Sequence, residues 1–191
     1  MDIYDLSSDS WKTPPDAAIQ RYEIMYIKPG FSLKGNTYWH DDSGDGFVQC
    51  FDFRRERFGL LLPLQFNYSY GFNESLSLVK EDKLTVLLEP WDIFESPVWV
   101  SNKIEPDYVS WSIFFKVERL KLNCRPLFGS LLLDEEKKTI VVFDDGNTSC
   151  NKNTYIIDGE SGHLRQVESI QSSHSRLYNI VSNYVPSSVQ I

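Results

Sequence analysis

The chain has 191 residues, 41% hydrophobic, 24% charged and 14% aromatic, a balance that fits one soluble globular domain with aromatic side chains to pack sheet faces. A formal net charge of −8 repels phosphate backbones, which excludes broad nucleic-acid binding and favours a basic or neutral protein as partner. No run of 18 or more apolar residues occurs, so no membrane span is expected, and MDIYDLSSDSW at the N-terminus carries acids where a secretory signal needs basic residues.

In chain order, short stretches rich in Val, Ile, Phe, Tyr and Trp are separated by Gly, Asp, Asn and Lys. Strands are expected at MDIYDL, YEIMYIK, GNTYWH, FVQCFDF, ESLSLVK, KLTVLLEP, PVWVSN, WSIFFKV, FGSLLL, KTIVVFD, NTYIID and HLRQV. No long stretch of helical period competes with them. Short helical turns are expected only at Pro14–Gln20 and Glu105–Ser110.

The strands recur as a unit: an aromatic-bearing strand, a short polar turn, then an aromatic or apolar residue opening the next strand. These openings fall at Trp11, Phe58, Trp111 and Leu164, a spacing of roughly 50 residues that matches propeller blades of the kelch kind. The expectation is an all-β fold, a kelch-like partial β-propeller of about four four-stranded antiparallel blades, each burying its faces on its neighbours. A partial propeller has to protect its ends, so Ser169–Ile191 is expected to fold back over one of them.

The stretch WHDDSGDGFVQCFDF tests this periodicity. Asp41, Ser43, Asp45, Gly46 and Asp52 nearly spell a calcium-binding loop. That loop sits between helices, whereas GNTYWH and FVQCFDF alternate with period two, and Asp52 is shorter than the Glu that closes such a loop. Asp41–Gly46 is therefore read as a solvated hairpin tip.

Nothing in the sequence points to catalysis, a cofactor or a metal. No GxSxG, HExxH, GxxxxGK or GxGxxG occurs, and His40, His163 and His174 lie in separate units, read as hairpin surface positions. Cys50, Cys124 and Cys150 are odd in number and form no CxxC pair, which indicates a reducing, intracellular setting. Cys50 reads as core rather than nucleophile, and Asp134–Lys138 as a charged turn joining two apolar strands. Trp11, Trp39, Trp99 and Trp111 are expected to pack between blades. Trp91, in LLEPWDIFESP, and the loop Leu61–Ser75 are candidate partner-binding stretches. Arg54, Arg55 and Arg57 form a basic spot, read as a solvated strand end with partner contact as the alternative.

Taken in order, SLKGNTYWH, CFDFRRERFGLLLPL, LSLVKEDKLTVLL, VWVSNKIEPDYVSWSIFFKV, DEEKKTIVVFD and YIIDGESGHLRQV resemble the plant F-box-associated, kelch-like domain over nearly the whole chain. That resemblance implies a non-enzymatic module that captures a target protein for a ubiquitin ligase. In the family an N-terminal F-box binds the Skp-type adaptor of a cullin ligase, so adaptor and ligase are partners only if an F-box lies upstream. Because the chain opens on a strand at Met1, the expectation is a domain truncated on its N-terminal side. The alternative is a ligase-independent scaffold or competitor that binds targets without recruiting the adaptor.

Overall fold

Alternating apolar and polar residues put one face of an extended chain toward a core and the other toward water. The computed structural model, which describes residues 2–13, 30–41, 46–64, 72–80, 82–90, 95–118, 128–144 and 152–170, turns those alternations into strands. They are β1 (Ile3–Asp5), β2 (Ser10–Lys12), β3 (Phe31–Leu33), β4 (Asn36–Asp41), β5 (Phe47–Asp52), β6 (Arg57–Phe58), β7 (Leu62–Pro63) and β8 (Phe72–Val79). There follow β9 (Lys83–Pro90), β10 (Glu95–Glu105), β11 (Tyr108–Glu118), β12 (Phe128–Asp134), β13 (Thr139–Asp144), β14 (Lys152–Asp158) and β15 (Leu164–Ile170). The fold is all-β and meandering. Sequential strands pair in the orders β1-β2, β3-β4-β5-β6, β8-β9-β10-β11 and β12-β13-β14-β15. Of the residues expected to open the strand after each turn, Leu164 opens β15, Trp11 and Phe58 stand second in β2 and β6, and Trp111 stands fourth in β11; these strands end the four pairing orders.

One sheet carries a fifth strand, β7, which pairs with the same neighbour, β5, as β6 does. The two act as one broken edge strand. Gly59 donates to the Cys50 carbonyl and Leu64 to that of Gly46, while the Gln49 side chain bonds the Cys50 and Gly59 carbonyls across the break. Pro63 sits in the outer fragment, where its missing N–H costs no ladder bond.

Four of the hairpins share one turn chemistry. Asp5, Asp52, Asp134 and Asp158 each stand at the end of a strand, and each carboxylate accepts from the backbone N–H groups two and three residues on. Four residues after each aspartate the backbone is left-handed, at Asp9 (φ 49°), Glu56 (51°), Lys138 (48°) and Gly162 (62°). The side-chain oxygen satisfies amides that the turn would leave unpaired, and the left-handed residue steers the chain back into register. The aspartate is thus a folding signal, four times over.

The chain divides into two compact units, Met1–Phe66 with Ile104–Val109, and Asn67–Lys103 with Ser110–Ile191. In the first, β3, β4 and β5 bury Phe31, Leu33, Tyr38, Val48, Cys50 and Phe51, and Phe51 meets Phe53 and Phe58 edge-on with ring centroids 5.0 and 5.1 Å apart. In the second, Val79, Leu87, Val98, Val100 and Val117 of one sheet pack with Leu131, Ile140, Val142, Tyr155 and Ile157 of the next. Two ion pairs, Lys80–Glu136 at 3.1 Å and Lys83–Glu135 at 2.7 Å, join the turns of the same two sheets. Largely exposed, the first of these adds little beside the apolar burial.

Three expectations are corrected. Glu105–Ser110 is no helical turn: β10 runs to Glu105, Pro106 and Asp107 make a tight turn, and β11 starts at Tyr108. His40 is buried rather than superficial, because it lies on the inner side of β4 opposite Val48 of β5. Trp11 is 70% exposed rather than packed in a core, because β1 and β2 form a sheet of only two strands among the described residues, where its ring meets that of Tyr4. Trp111 is buried as expected, while Trp39 and Trp99 are half-buried. The expected helical turn at Pro14–Gln20, the strand YEIMYIK, the hairpin tip from Asp42 to Asp45, and the tail from residue 171 onward lie outside the described residues.

Replacing Trp111 by Ala should cost about 3–5 kcal/mol in urea-unfolding free energy, since a large ring leaves a cavity between strands that cannot close. An unchanged unfolding midpoint would mean that the β11 register is wrong. The turn aspartates give a pH signature. The carboxyl of Asp5 is held below its ordinary range chiefly by Lys12, that of Asp134 by the Lys137 amide, and that of Asp158 by the Ser161 amide. A depressed folded pKa stabilises the fold above the unfolded value of about 3.9, and this contribution is lost as pH falls further. Asp→Asn at all three positions keeps the accepting oxygen but removes the titration. Thermal melts should therefore show the variant losing less stability than the parent below pH ~4, and equal losses would contradict the turn assignment.

Candidate protein-recognition cleft

Three turns of the first unit frame an open cleft of about 540 Å³, lined by Lys34, Gly35, Asn36, Asp52, Arg54, Arg55, Glu105, Pro106 and Asp107. Its first wall is the two-residue hairpin turn between β3 and β4. Lys34 and Gly35 both have positive φ (52° and 77°) and Leu33 pairs with Asn36, the geometry of a type I′ turn. A Cβ on Gly35 would touch nothing within 4 Å, so this wall faces open space. The second wall is the aspartate turn between β5 and β6. There Asp52 is 5% exposed and accepts from the amides of Arg54 and Arg55 at 2.9 and 3.0 Å, which throws both arginine side chains outward. The Pro106–Asp107 turn between β10 and β11 closes the third side.

Asp107 ties the last two walls together. One carboxylate oxygen accepts from Arg57 Nη2 at 2.9 Å and Arg55 Nη1 at 3.3 Å, and the other accepts from the Leu60 amide at 3.1 Å. Arg55 Nε lies a further 3.6 Å from Asp52. Gly59 permits the close approach: a Cβ there would sit 2.0 Å from the Pro106 carbonyl oxygen. The carboxylates are thus largely spoken for, and Glu105 has a contact of its own. Lys34 and Arg54 have no ion-pair partner among the described residues and remain exposed.

Of the residues singled out in the sequence, Arg54 and Arg55 line the cleft and Arg57 braces it. The "solvated strand end" is in fact half consumed by Asp107, some 50 residues away. Cys50 is fully buried; burial pushes its thiol up to about 11, and its neighbour Tyr38, opposite it in the ladder, is also raised, chiefly by burial. His163 is exposed beside the Asp158 turn, and Asp134–Lys138 is the β12–β13 turn. Trp91, Cys124, Cys150, His174 and residues 65–71 of the Leu61–Ser75 loop lie outside the described residues. Among the described residues no group of three His, Cys, Asp or Glu side chains could hold a metal ion, and no helix is long and apolar enough to cross a membrane. Lys34, Gly35, Asn36, Glu105, Pro106 and Asp107 were not among the residues expected to bind a partner. Their only signals were two turn-forming dipeptides, Lys-Gly and Pro-Asp.

Consecutive antiparallel sheets of meandering strands are the form of a propeller, and the model of the F-box associated β-propeller domain matches residues 1–191. The chain belongs to this family. Among its relatives in Arabidopsis thaliana, a putative F-box/kelch-repeat protein is 44% identical over 96% of this chain and 53% of its own length. An F-box protein is 38% identical over 100% of this chain and 52% of its own length, and an F-box/kelch-repeat protein 37% over 100% and 54%. The chain spans about half the length of the curated relatives it matches. In this F-box associated domain the cleft lies at the connections between strands, where a sheet scaffold leaves side chains free to vary.

Gly59→Ala should destabilise the domain by about 1–3 kcal/mol, because the new methyl group has to displace backbone. Arg55→Ala should cost under about 1 kcal/mol, since its ion pairs are solvent-screened. Urea unfolding of the two variants in parallel checks the order, and an arginine variant as damaging as the glycine variant would contradict the packing described.

Proposed function

We propose that this F-box associated domain is the target-binding part of a ubiquitin-ligase substrate receptor. It holds another protein by shape and charge at strand connections and breaks no bond. The observation that carries this reading is the family match over residues 1–191, joined by relatives named as F-box and F-box/kelch-repeat proteins. In this reading an F-box recruits a Skp-type adaptor and cullin ligase, the propeller presents the target, and both act inside the cell. The cleft supports a role in binding rather than catalysis: Asp52 and Asp107 are committed to backbone amides and arginines, not poised as acid and base.

The test joins the F-box of one of the Arabidopsis relatives to residues 1–191 and reconstitutes the adaptor and cullin ligase around it. Proteins that crosslink to the unfused chain should be ubiquitylated by the fusion and not by an F-box fused to an unrelated propeller. Specific binding without ubiquitylation would favour the scaffold role over the receptor. Failure to capture any protein beyond the unrelated-propeller control would overturn both.

A further inference from the structure

We infer that the cleft between the β3–β4, β5–β6 and β10–β11 turns takes an acidic, extended segment of the target protein, with an apolar side chain beside its carboxylates. This inference deepens the receptor reading above and rests on it. Its basis is an imbalance in what is already paired. Asp52 is turned inward onto two amides, and Asp107 is held by Arg55, Arg57 and the Leu60 amide. Lys34 and Arg54, on facing turns, have no carboxylate partner among the described residues. What the cleft offers a visitor is therefore the two cations that no carboxylate has taken, although its lining as a whole balances Lys34, Arg54 and Arg55 against Asp52, Glu105 and Asp107 and the chain carries −8.

The long-range field does not cancel this. At physiological salt the Debye length is about 8 Å, so distant surface acids are screened while a carboxylate between Lys34 and Arg54 meets them directly. Charge-assisted hydrogen bonds from Arg and Lys to carboxylate are among the stronger polar contacts, and Arg in particular recognises that group through two parallel donors. The surroundings supply the apolar part. Phe53 (47% exposed), Leu60 (64%) and Tyr108 (49%) each lie within two residues, along the chain, of Asp107 or one of the residues bound to it. Phe53 precedes Arg54 in the chain and Tyr108 follows Asp107, and aromatic residues and Arg are enriched at the centres of interfaces. The cleft volume of about 540 Å³ falls within the range of about 300–1,000 Å³ typical of ligand pockets.

The experiment measures fluorescence anisotropy of labelled short peptides with the full chain: one alternating Glu with Phe or Leu, one with Gln for every Glu, and one with Lys for every Glu. The Glu peptide should bind at least about tenfold more tightly than the Gln peptide, with affinity falling as salt rises. Lys34→Glu and Arg54→Glu should each weaken that binding by about tenfold or more, with melting temperatures unchanged. Lys137→Glu, in the exposed β12–β13 turn of the second unit, should leave it intact. Equal binding of the Glu and Gln peptides, preference for the Lys peptide, no binding of any peptide, or equal loss in the Lys137 variant would each overturn the assignment. The receptor reading is separable: if crosslinked targets are still ubiquitylated with Lys34→Glu and Arg54→Glu in place, that reading stands and the cleft assignment falls.

Discussion

A strand-end aspartate whose carboxylate accepts two backbone N–H groups ahead of it is the interaction on which the described architecture turns. A reversal of four residues leaves amides without ladder partners, which water or a nearby side chain has to satisfy. Asp5, Asp52, Asp134 and Asp158 satisfy two of them within the turn itself. The left-handed residue four positions later then returns the next strand in antiparallel register. Because the remedy is local, each hairpin can form before distant contacts do. This suits a meandering topology in which, β7 apart, the sheets pair strands adjacent in sequence.

Packing finishes what the turns begin. Once the hairpins are set, period-two alternation directs Val79, Leu87, Val98, Leu131, Ile140, Val142 and Ile157 onto common faces, and these buried side chains dominate the apolar contribution in the second unit. The exposed Lys80–Glu136 pair at the turn tips adds little beside this burial. The same turns have a second consequence. A turn capped from inside points its remaining side chains outward, and in the first unit this places Arg54 and Arg55 over a cleft whose opposite side is the Pro106–Asp107 turn. A folding device and a recognition surface are built from the same residues.

Much of the fold could be read directly from the chain, because strand alternation and turn residues are local signals. The aromatic and apolar openings at Trp11, Phe58, Trp111 and Leu164 mark the closing strands β2, β6, β11 and β15. Burial was less legible. Trp11 and Trp111 occupy matching places in the repeat, yet one lies open on a two-stranded sheet and the other is enclosed, a difference set by neighbours and not by residue type. His40 is inward because its parity along β4 makes it so, which outweighs its polarity. The helical turn expected at Glu105–Ser110 is a tight turn, because Pro106 opens one as readily as a helix. The cleft was the least legible feature. Arg55 and Asp107 meet only after both turns are in place, and no local pattern announces a contact between residues so far apart in sequence. Gly59 became meaningful only when its missing side chain was seen against the Pro106 carbonyl.

The measurement that reaches most directly to the capped turns is residue-resolved amide hydrogen exchange at neutral pH. If strand-end carboxylates hold the corners, the amides of Arg54, Arg55, Glu136, Lys137, Glu160 and Ser161 will exchange slowly despite lying in solvent-facing turns, whereas Phe53 and Glu135, immediately after their aspartates, will exchange freely. Exchange of the first group at the rate of an unstructured chain, with the flanking strands still protected, would show that something other than these aspartates turns the chain.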